Sequence, residues 1–300
     1  MIPAMPRPRL RRAWSAAALW LWLAAAPAAV ADPFGPQGEP RGQWREQTWL
    51  IPLPHDGNRA MHAAVYRPPG EGRRPLAVIA HGSPPKPEQR PGVKPAYRTA
   101  AEWFVQRGFA VVLPIRRGYG ATGGSWDETY GRCDSPDFLR GGIETAKDIR
   151  AAVQYMQRQN FVAPERALVV GQSAGGWGAV ALASQNPPEV AAYVNFAGGR
   201  GGYAGGKPNS NCRADKLIEA AGEFGKSARA PMLWIYTEND LFFSPAIARG
   251  MADAFAARGG RAEFHLLPAF GKDGHALFAA ADGLARWRNL VAAFLGANGF

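Results

Sequence analysis

The chain has 300 residues, of which 47% are hydrophobic and 20% charged, a length and composition that predict one sizeable domain with a well-buried core. Its formal net charge is +11. The basic residues are scattered, without the clustered stripe or aromatic ladder of a nucleic-acid binder, so we expect no nucleic acid as a partner.

The first 31 residues have the pattern of a secretory signal peptide. They contain no Asp or Glu, and their arginines precede an uncharged run that ends in Ala29-Val30-Ala31. We expect cleavage after Ala31 and a periplasmic or secreted protein with no membrane segment after cleavage. The alternative is an uncleaved anchor, but the run is alanine-rich and contains Pro27. Arg11-Arg12 is only a weak match to a twin-arginine signal. Cleavage would reduce the 35 Lys+Arg to 31 against 24 Asp+Glu, and the formal charge to +7.

The mature chain is predicted to begin with a loose, Pro- and Gly-rich lead-in over residues 32–46, followed by a domain over residues 47–300. Apolar runs and alternation predict eight strands. These are residues 48–53, 61–67, 76–80, 109–115, 167–170, 192–196, 232–236 and 263–267.

Helical spacing of apolar residues predicts helices between most of these strands. They are residues 97–107, 143–159, 176–183, 214–224, 244–258 and 284–295. Alternation of strand and helix implies the α/β class, with a mostly parallel sheet flanked by helices. A long glycine-punctuated loop is expected over residues 116–142. We find no repeat or linker, and no room for a large lid domain.

Gly171-Gln172-Ser173-Ala174-Gly175 lies between a predicted strand and a predicted helix. Gly-x-Ser-x-Gly in that setting is the nucleophile elbow, in which a strained serine needs neighbours without a Cβ two positions before and after it. The helix that follows directs its free N–H groups towards the serine. The alternative is an ordinary serine in a glycine-rich turn, but the strand and helix on either side favour the catalytic interpretation.

Two later residues are placed to act with Ser173. Asp240 follows the predicted strand 232–236 and His275 follows the last strand, so both lie at the carboxyl edge of the sheet, where such folds place their chemistry. A serine hydroxyl needs an imidazole to take its proton, and a carboxylate to orient that imidazole. Asp240 could instead cap a helix, Glu238 is a rival acid, and His275 could be an ordinary loop histidine.

An oxyanion hole needs two backbone donors. We expect the N–H of Ala174, directly after the nucleophile, and the N–H of Ser83 in the His81-Gly82-Ser83 turn. His81 precedes Gly82 and is expected to orient that turn. No metal-ligand motif is present, and we expect neither a metal nor a cofactor.

Aromatic residues in the loops at this edge are candidates to line the pocket, although a place in the core or rim is as plausible for them. They are Trp126, Tyr130, Tyr203, Phe242 and Phe243. Cys133 and Cys212 are the two cysteines of the chain and lie in loops over the same edge. In an oxidising compartment we expect them to form a disulfide that joins the two loops; the alternative is two unrelated buried thiols.

Residues from about 48 to 294 resemble the α/β-hydrolase superfamily, in its dienelactone hydrolase-like and prolyl-oligopeptidase-related branch. The resemblance rests on His81-Gly82, on Arg117-Gly118-Tyr119-Gly120-Ala121-Thr122-Gly123, on the Ser173 motif, and on Asp240 and His275 in that order. The chain has a serine where dienelactone hydrolases have a cysteine, so their substrate is not carried over. It also lacks a propeller domain and a G-G-G oxyanion loop.

These features predict a secreted serine hydrolase that cleaves a small-molecule carboxylic ester through an acyl-enzyme. A small exopeptidase or amidase with the same triad is the second hypothesis, and it would hydrolyse aminoacyl anilides rather than aryl esters. A non-catalytic binding protein on this fold is the third, and failure to label with a fluorophosphonate would favour it. The acyl and alcohol groups and the oligomeric state are not predicted.

Overall fold

The computed structural model describes residues 1–5, 33–164 and 166–300, and a single sheet of nine strands organises it. The strands are β1 Gly35–Arg41, β2 Glu46–Leu53, β3 Arg59–Tyr66, β4 Leu76–Ala80, β5 Ala110–Pro114, β6 Ala167–Gln172, β7 Val190–Phe196, β8 Met232–Thr237 and β9 Ala262–Leu267. Their spatial order is β1-β2-β3-β5-β4-β6-β7-β8-β9. The first three strands and β5 pair antiparallel, and every pair from β5 to β9 is parallel.

In the described part of the chain six α-helices cover the sheet: α1 Arg98–Gln106, α2 Phe138–Gln157, α3 Ala174–Ser184, α4 Ala214–Gly225, α5 Pro245–Ala257 and α6 Leu284–Ala297. Successive residues of the central strands face opposite sides, so Val78 and Ala80 belong to one hydrophobic core and Ala77 and Ile79 to the other. Strands β4 and β5 are apolar throughout because both of their faces are buried. The expected α/β-hydrolase architecture is confirmed, with nine strands instead of eight.

The additional strand lies where a loose lead-in was expected. Gly35–Arg41 pairs antiparallel with β2, with Gly35 opposite Leu50. Its residues are mostly exposed, and the register shifts between Gln37 and Arg41. A strand at the edge of a sheet tolerates proline and glycine because one side of its backbone needs no partner. Composition therefore gave the wrong expectation for this segment.

Helix α2 begins five residues earlier than predicted, at Phe138. Asp137 caps it, since its side chain accepts a hydrogen bond from the N–H of Arg140 at 2.9 Å. Gly142, read from the sequence as part of a loop, lies inside the helix. A Cβ there would come within 3.0 Å of Ala181 and Trp177, so this glycine permits close packing of α2 on α3.

Residues 33–300 form one compact unit. The predicted signal peptide lies almost wholly outside the described residues, which resume at Pro33. None of the helices in the described ranges is long and apolar enough to cross a membrane.

Candidate active site

Ser173 lies at the sharp turn between β6 and α3, with φ +55° and ψ −121°. A residue other than glycine rarely adopts a positive φ, and the packing around the turn maintains this backbone conformation at Ser173. A Cβ on Gly171 would lie 2.3 Å from the carbonyl oxygen of Gly175, and a Cβ on Gly175 would lie 2.2 Å from that of Ala80. Both glycines of the motif are therefore required by close backbone contact. The turn has the geometry expected of a nucleophile elbow.

Asp240 and His275 meet at the same edge of the sheet. The Nδ1 atom of His275 lies 3.1 and 3.0 Å from the two carboxylate oxygens of Asp240, whose side chain is fully buried. The N–H groups of Phe242 and Phe243 donate to Asp240 Oδ1 at 2.7 and 2.9 Å. The rival acid Glu238 is exposed and has no side-chain hydrogen bond among the described residues. The structure thus pairs His275 with Asp240.

Gln172, the residue before the nucleophile, connects His275 to the elbow. Its Nε2 donates to the carbonyl oxygen of His275 at 3.0 Å, and its Oε1 accepts from the hydroxyl of Tyr97 at 2.7 Å. The same hydroxyl accepts from the N–H of Gly82 at 3.0 Å. Three loops are therefore held together beside Ser173. The role of Tyr97 could not be predicted from the sequence, because Tyr97 lies 75 residues from Gln172 in the chain.

No hydrogen bond joins Ser173 Oγ to the His275 ring within the described ranges. The ring of His275 stacks on Phe242 with 4.1 Å between centroids, and its Nδ1 is taken by Asp240, which leaves Nε2 as the nitrogen available to a proton donor. Contacts between nucleophile and base are often long without substrate and shorten in the complex.

The two expected oxyanion donors line one cavity with Ser173. The N–H groups of Ser83 and Ala174 donate to no other group in the described part of the chain, and both residues contact the cavity, whose volume is about 130 Å³. Gly82 brings the two turns together, since a Cβ there would lie 3.1 Å from Ser173 Cβ. The N–H of Gly82 already donates to the hydroxyl of Tyr97, so it is not available as an oxyanion donor. The position of Ser83 is thus suited to the second donor.

His81 is fixed in a neutral form behind this turn. Its Nε2 accepts from the N–H of Arg116 at 3.1 Å, which leaves Nδ1 as the donor to the carbonyl of Gly82 at 2.6 Å. Burial, and then the charge of Arg116, lower the pKa of His81 to about 3. This histidine positions the turn, as its place in the sequence suggested.

A buried ionic cluster lies beside the pocket, and no motif in the sequence indicates it. Glu128 accepts hydrogen bonds from the guanidinium groups of Arg116 and Arg200 and from the hydroxyl of Tyr119. Burial alone would raise the pKa of Glu128, but the two arginines hold it well below its usual range. The hydroxyl oxygens of Tyr119 and Ser83 lie 2.9 Å apart, which links the cluster to the oxyanion turn.

Four of the five aromatic residues singled out from the sequence line the cavity: Trp126, Tyr130, Phe242 and Phe243. The fifth, Tyr203, packs on Phe242 with ring centroids 5.0 Å apart. The cavity therefore has aromatic walls next to the ionic cluster. A larger cavity of about 360 Å³ lies at the opposite, amino-terminal edge of the parallel strands, away from Ser173.

Cys133 and Cys212 form a disulfide, with their Cα atoms 4.8 Å apart and 79 residues apart in the chain. The bond joins the loop after β5 to the loop after β7, as predicted. The hydroxyl oxygen of Tyr130, in the cavity wall, lies 3.8 Å from Cys212 Sγ. The disulfide therefore connects the two loops that form much of the pocket.

Among the described residues, no group of three or more His, Cys, Asp or Glu side chains could hold a metal ion. The arrangement around Ser173 consists of a hydroxyl, an imidazole oriented by a carboxylate, and two free amides. Those groups can perform nucleophilic acyl transfer.

Comparison with protein families gives one match, to the model described as X-Pro dipeptidyl-peptidase (S15 family), over residues 56–241. That range contains Ser173 and Asp240 but ends before His275. No curated protein matches the chain.

Solved structures share the fold. An esterase of Pyrococcus furiosus superposes with a TM-score of 0.61 at 15% identity, covering 85% of this chain and 93% of its own. A Klebsiella pneumoniae protein assigned as a dienelactone hydrolase gives 0.55 at 18% identity, covering 82% and 97%. A puromycin-hydrolyzing peptidase of Mycobacterium tuberculosis gives a TM-score of 0.60 at 19% identity. The match covers 85% of this chain but only 40% of the peptidase. At such identities the likeness is one of fold.

Proposed function

Because the chain belongs to the S15 family and is a serine hydrolase, we propose that it cleaves carboxylic esters with Ser173 as nucleophile, His275 as general base and Asp240 as the orienting acid. The observation that carries this proposal is the Asp240 carboxylate, which holds Nδ1 of His275 at 3.0 Å on the sheet edge where Ser173 occupies its strained turn. No other acid among the described residues forms a hydrogen bond or ion pair with that ring.

Acylation follows from this arrangement. Ser173 Oγ attacks the carbonyl carbon of the ester while Nε2 of His275 takes its proton. The negative charge that develops on the carbonyl oxygen is stabilised by the N–H groups of Ser83 and Ala174. His275 then gives the proton to the departing alcohol oxygen, and the acyl group remains on Ser173.

Deacylation repeats the chemistry with water. His275 takes a proton from the water that attacks the acyl carbon, and returns it to Ser173 Oγ as the carboxylic acid leaves. Asp240 keeps the proton on Nδ1 and stabilises the imidazolium in both halves of the reaction. The burial of Asp240 and the two amides that donate to it support this role.

A peptidase or amidase with the same residues is the second candidate, because the matching family model is described as a dipeptidyl-peptidase. A panel of p-nitrophenyl esters of increasing acyl length, run beside aminoacyl p-nitroanilides, separates the two. We expect turnover of the esters with the Ser173→Ala protein as the inactive control. Faster turnover of the anilides at matched acyl groups would assign the chain to the peptidases.

We also propose export, with cleavage after Ala31. The basic start, the uncharged run and the Ala-Val-Ala end support it. Amino-terminal sequencing of the protein from a secreting host is the direct test, and we expect a mature chain that starts at Asp32. A chain that retains residues 1–31 in the membrane fraction would indicate an anchor instead.

A further inference from the structure

Arg200 lies in the wall of the catalytic cavity and is almost completely buried, with 5% of its surface exposed. Its Nη2 donates to Glu128 and to Thr145 Oγ1. Its Nε is buried and has no hydrogen-bond partner among the described residues. A buried donor without a partner is costly, so an acceptor supplied by a ligand would stabilise this guanidinium.

Arg90 lies in the same wall, with its guanidinium carbon 3.4 Å from the centre of a Trp126 ring. Its Nε is also buried and unpartnered within the described ranges. The ring fixes the plane of the guanidinium, and no hydrogen bond to another described residue occupies its Nη groups. Two arginines with unused donors therefore line a cavity of about 130 Å³ that also contains Ser173.

The charge around the catalytic cavity is positive. None of the described residues that line the cavity is Asp or Glu. Glu128, a carboxylate beside the cavity, is 2% exposed and already pairs with Arg116 and Arg200. His81 is neutral, as its two hydrogen bonds require. Three arginines thus lie near Glu128, while Asp240 is held by His275 and two backbone amides, and no acid is free to bind a cationic substrate group.

We propose that this pocket selects esters that carry a carboxylate in their acyl or alcohol part, and that Arg200 and Arg90 bind that carboxylate. The inference rests on the proposed function and names its substrate class. A guanidinium binds a carboxylate through paired charge-assisted hydrogen bonds, which are stronger than neutral ones. The same charges disfavour a free ammonium, which any enzyme that removes dipeptides from an amino terminus must bind.

Matched substrates test the charge of the acyl part. They are mono-p-nitrophenyl adipate, its neutral methyl ester, and p-nitrophenyl 6-aminohexanoate, with the rate in the presence of Ser173→Ala protein subtracted. We expect kcat/KM for the free carboxylate to exceed that of the methyl ester by about tenfold or more, with the ammonium ester slowest. The pair 4-acetoxybenzoate and methyl 4-acetoxybenzoate makes the same comparison for the alcohol part.

Variants connect the preference to the two arginines. Arg90→Gln is expected to reduce the carboxylate-to-neutral ratio of kcat/KM by about tenfold, and Arg200→Lys, which keeps the charge but not the planar guanidinium, by a smaller factor. Arg90→Lys, which keeps the charge, is expected to reduce it less. Arg261→Gln serves as the matched control, because that arginine lies at the opposite edge of the sheet, and it is expected to leave the ratio unchanged.

The outcomes distinguish this inference from the proposed function. Hydrolysis of the neutral esters at Ser173 without a preference for either carboxylate would overturn the inference alone. If no ester is turned over, calorimetry with the Ser173→Ala protein decides. Tighter binding of monomethyl adipate than of dimethyl adipate supports the inference, and equal or weaker binding overturns it.

Discussion

At the scale of single residues, Asp240 contacts more than the imidazole. Two backbone amides, those of Phe242 and Phe243, donate to the carboxylate oxygen Oδ1, and the side chain is fully buried. The orientation of the carboxylate is therefore fixed before His275 contacts it. A group held in this way can maintain the imidazole in one tautomer throughout the reaction.

Asp240→Asn is expected to lower kcat by about 10⁴-fold, because an amide can donate to Nδ1 and favour the wrong tautomer. Glu238→Gln is the matched control, since this exposed acid lies two residues away and has no contact with His275 among the described residues. Its kcat is expected to stay within about twofold of wild type. Steady-state kinetics on one p-nitrophenyl ester measures both, and the reverse pattern would assign the role to Glu238.

At the scale of elements, the turn after β4 depends on a neutral histidine. His81 is neutral in the folded and unfolded chain above a pH of about 6.5. As the pH falls from there towards 3, the unfolded chain takes up a proton that folded His81 does not, since its folded pKa is about 3. The free energy of unfolding therefore decreases as the pH is lowered through this window, by up to about 1.4 kcal/mol per pH unit.

His81→Gln is expected to be less stable than wild type at pH 7, because the bonds to Gly82 and Arg116 are disturbed, but to lose less stability between pH 6.5 and 4. Denaturant titrations at several pH values measure the slope. Equal slopes for wild type and His81→Gln would contradict the buried neutral state.

Most of the elements, and the place of Ser173, Asp240 and His275 at one edge of the sheet, could be predicted from the sequence, whereas the polar contacts between loops could not. Ser173, Asp240 and His275 were placed because each follows a recognisable apolar strand, and strand ends meet at one edge. Arg200 and Glu128 pair across 72 residues and have no local spacing to reveal them. Strand β1 was missed because an edge strand can have the composition of a loop.

At the scale of the molecule, the disulfide connects loops from two distant parts of the chain. Closing a loop with a sequence separation of 79 lowers the entropy of the unfolded chain, which raises its free energy by about 4 kcal/mol. We expect reduction of the wild-type protein, or a Cys133→Ala/Cys212→Ala double variant, to lower the free energy of unfolding by a few kcal/mol.

Denaturant titration with and without a reducing agent measures this loss. The double variant is the control for the reagent itself, since reductant should leave its stability unchanged. Equal free energies of unfolding for oxidised and reduced wild type would show that the bond adds nothing to stability.

The central claim is that Ser173 is the residue that takes up the acyl group. A fluorophosphonate forms a stable phosphonyl ester with an activated serine, so intact mass spectrometry followed by peptide mapping reads the nucleophile directly. The claim predicts one adduct per chain, on the peptide that contains Ser173, and no adduct on the Ser173→Ala protein. An adduct on a different residue, or an active esterase that stays unlabelled, would contradict it.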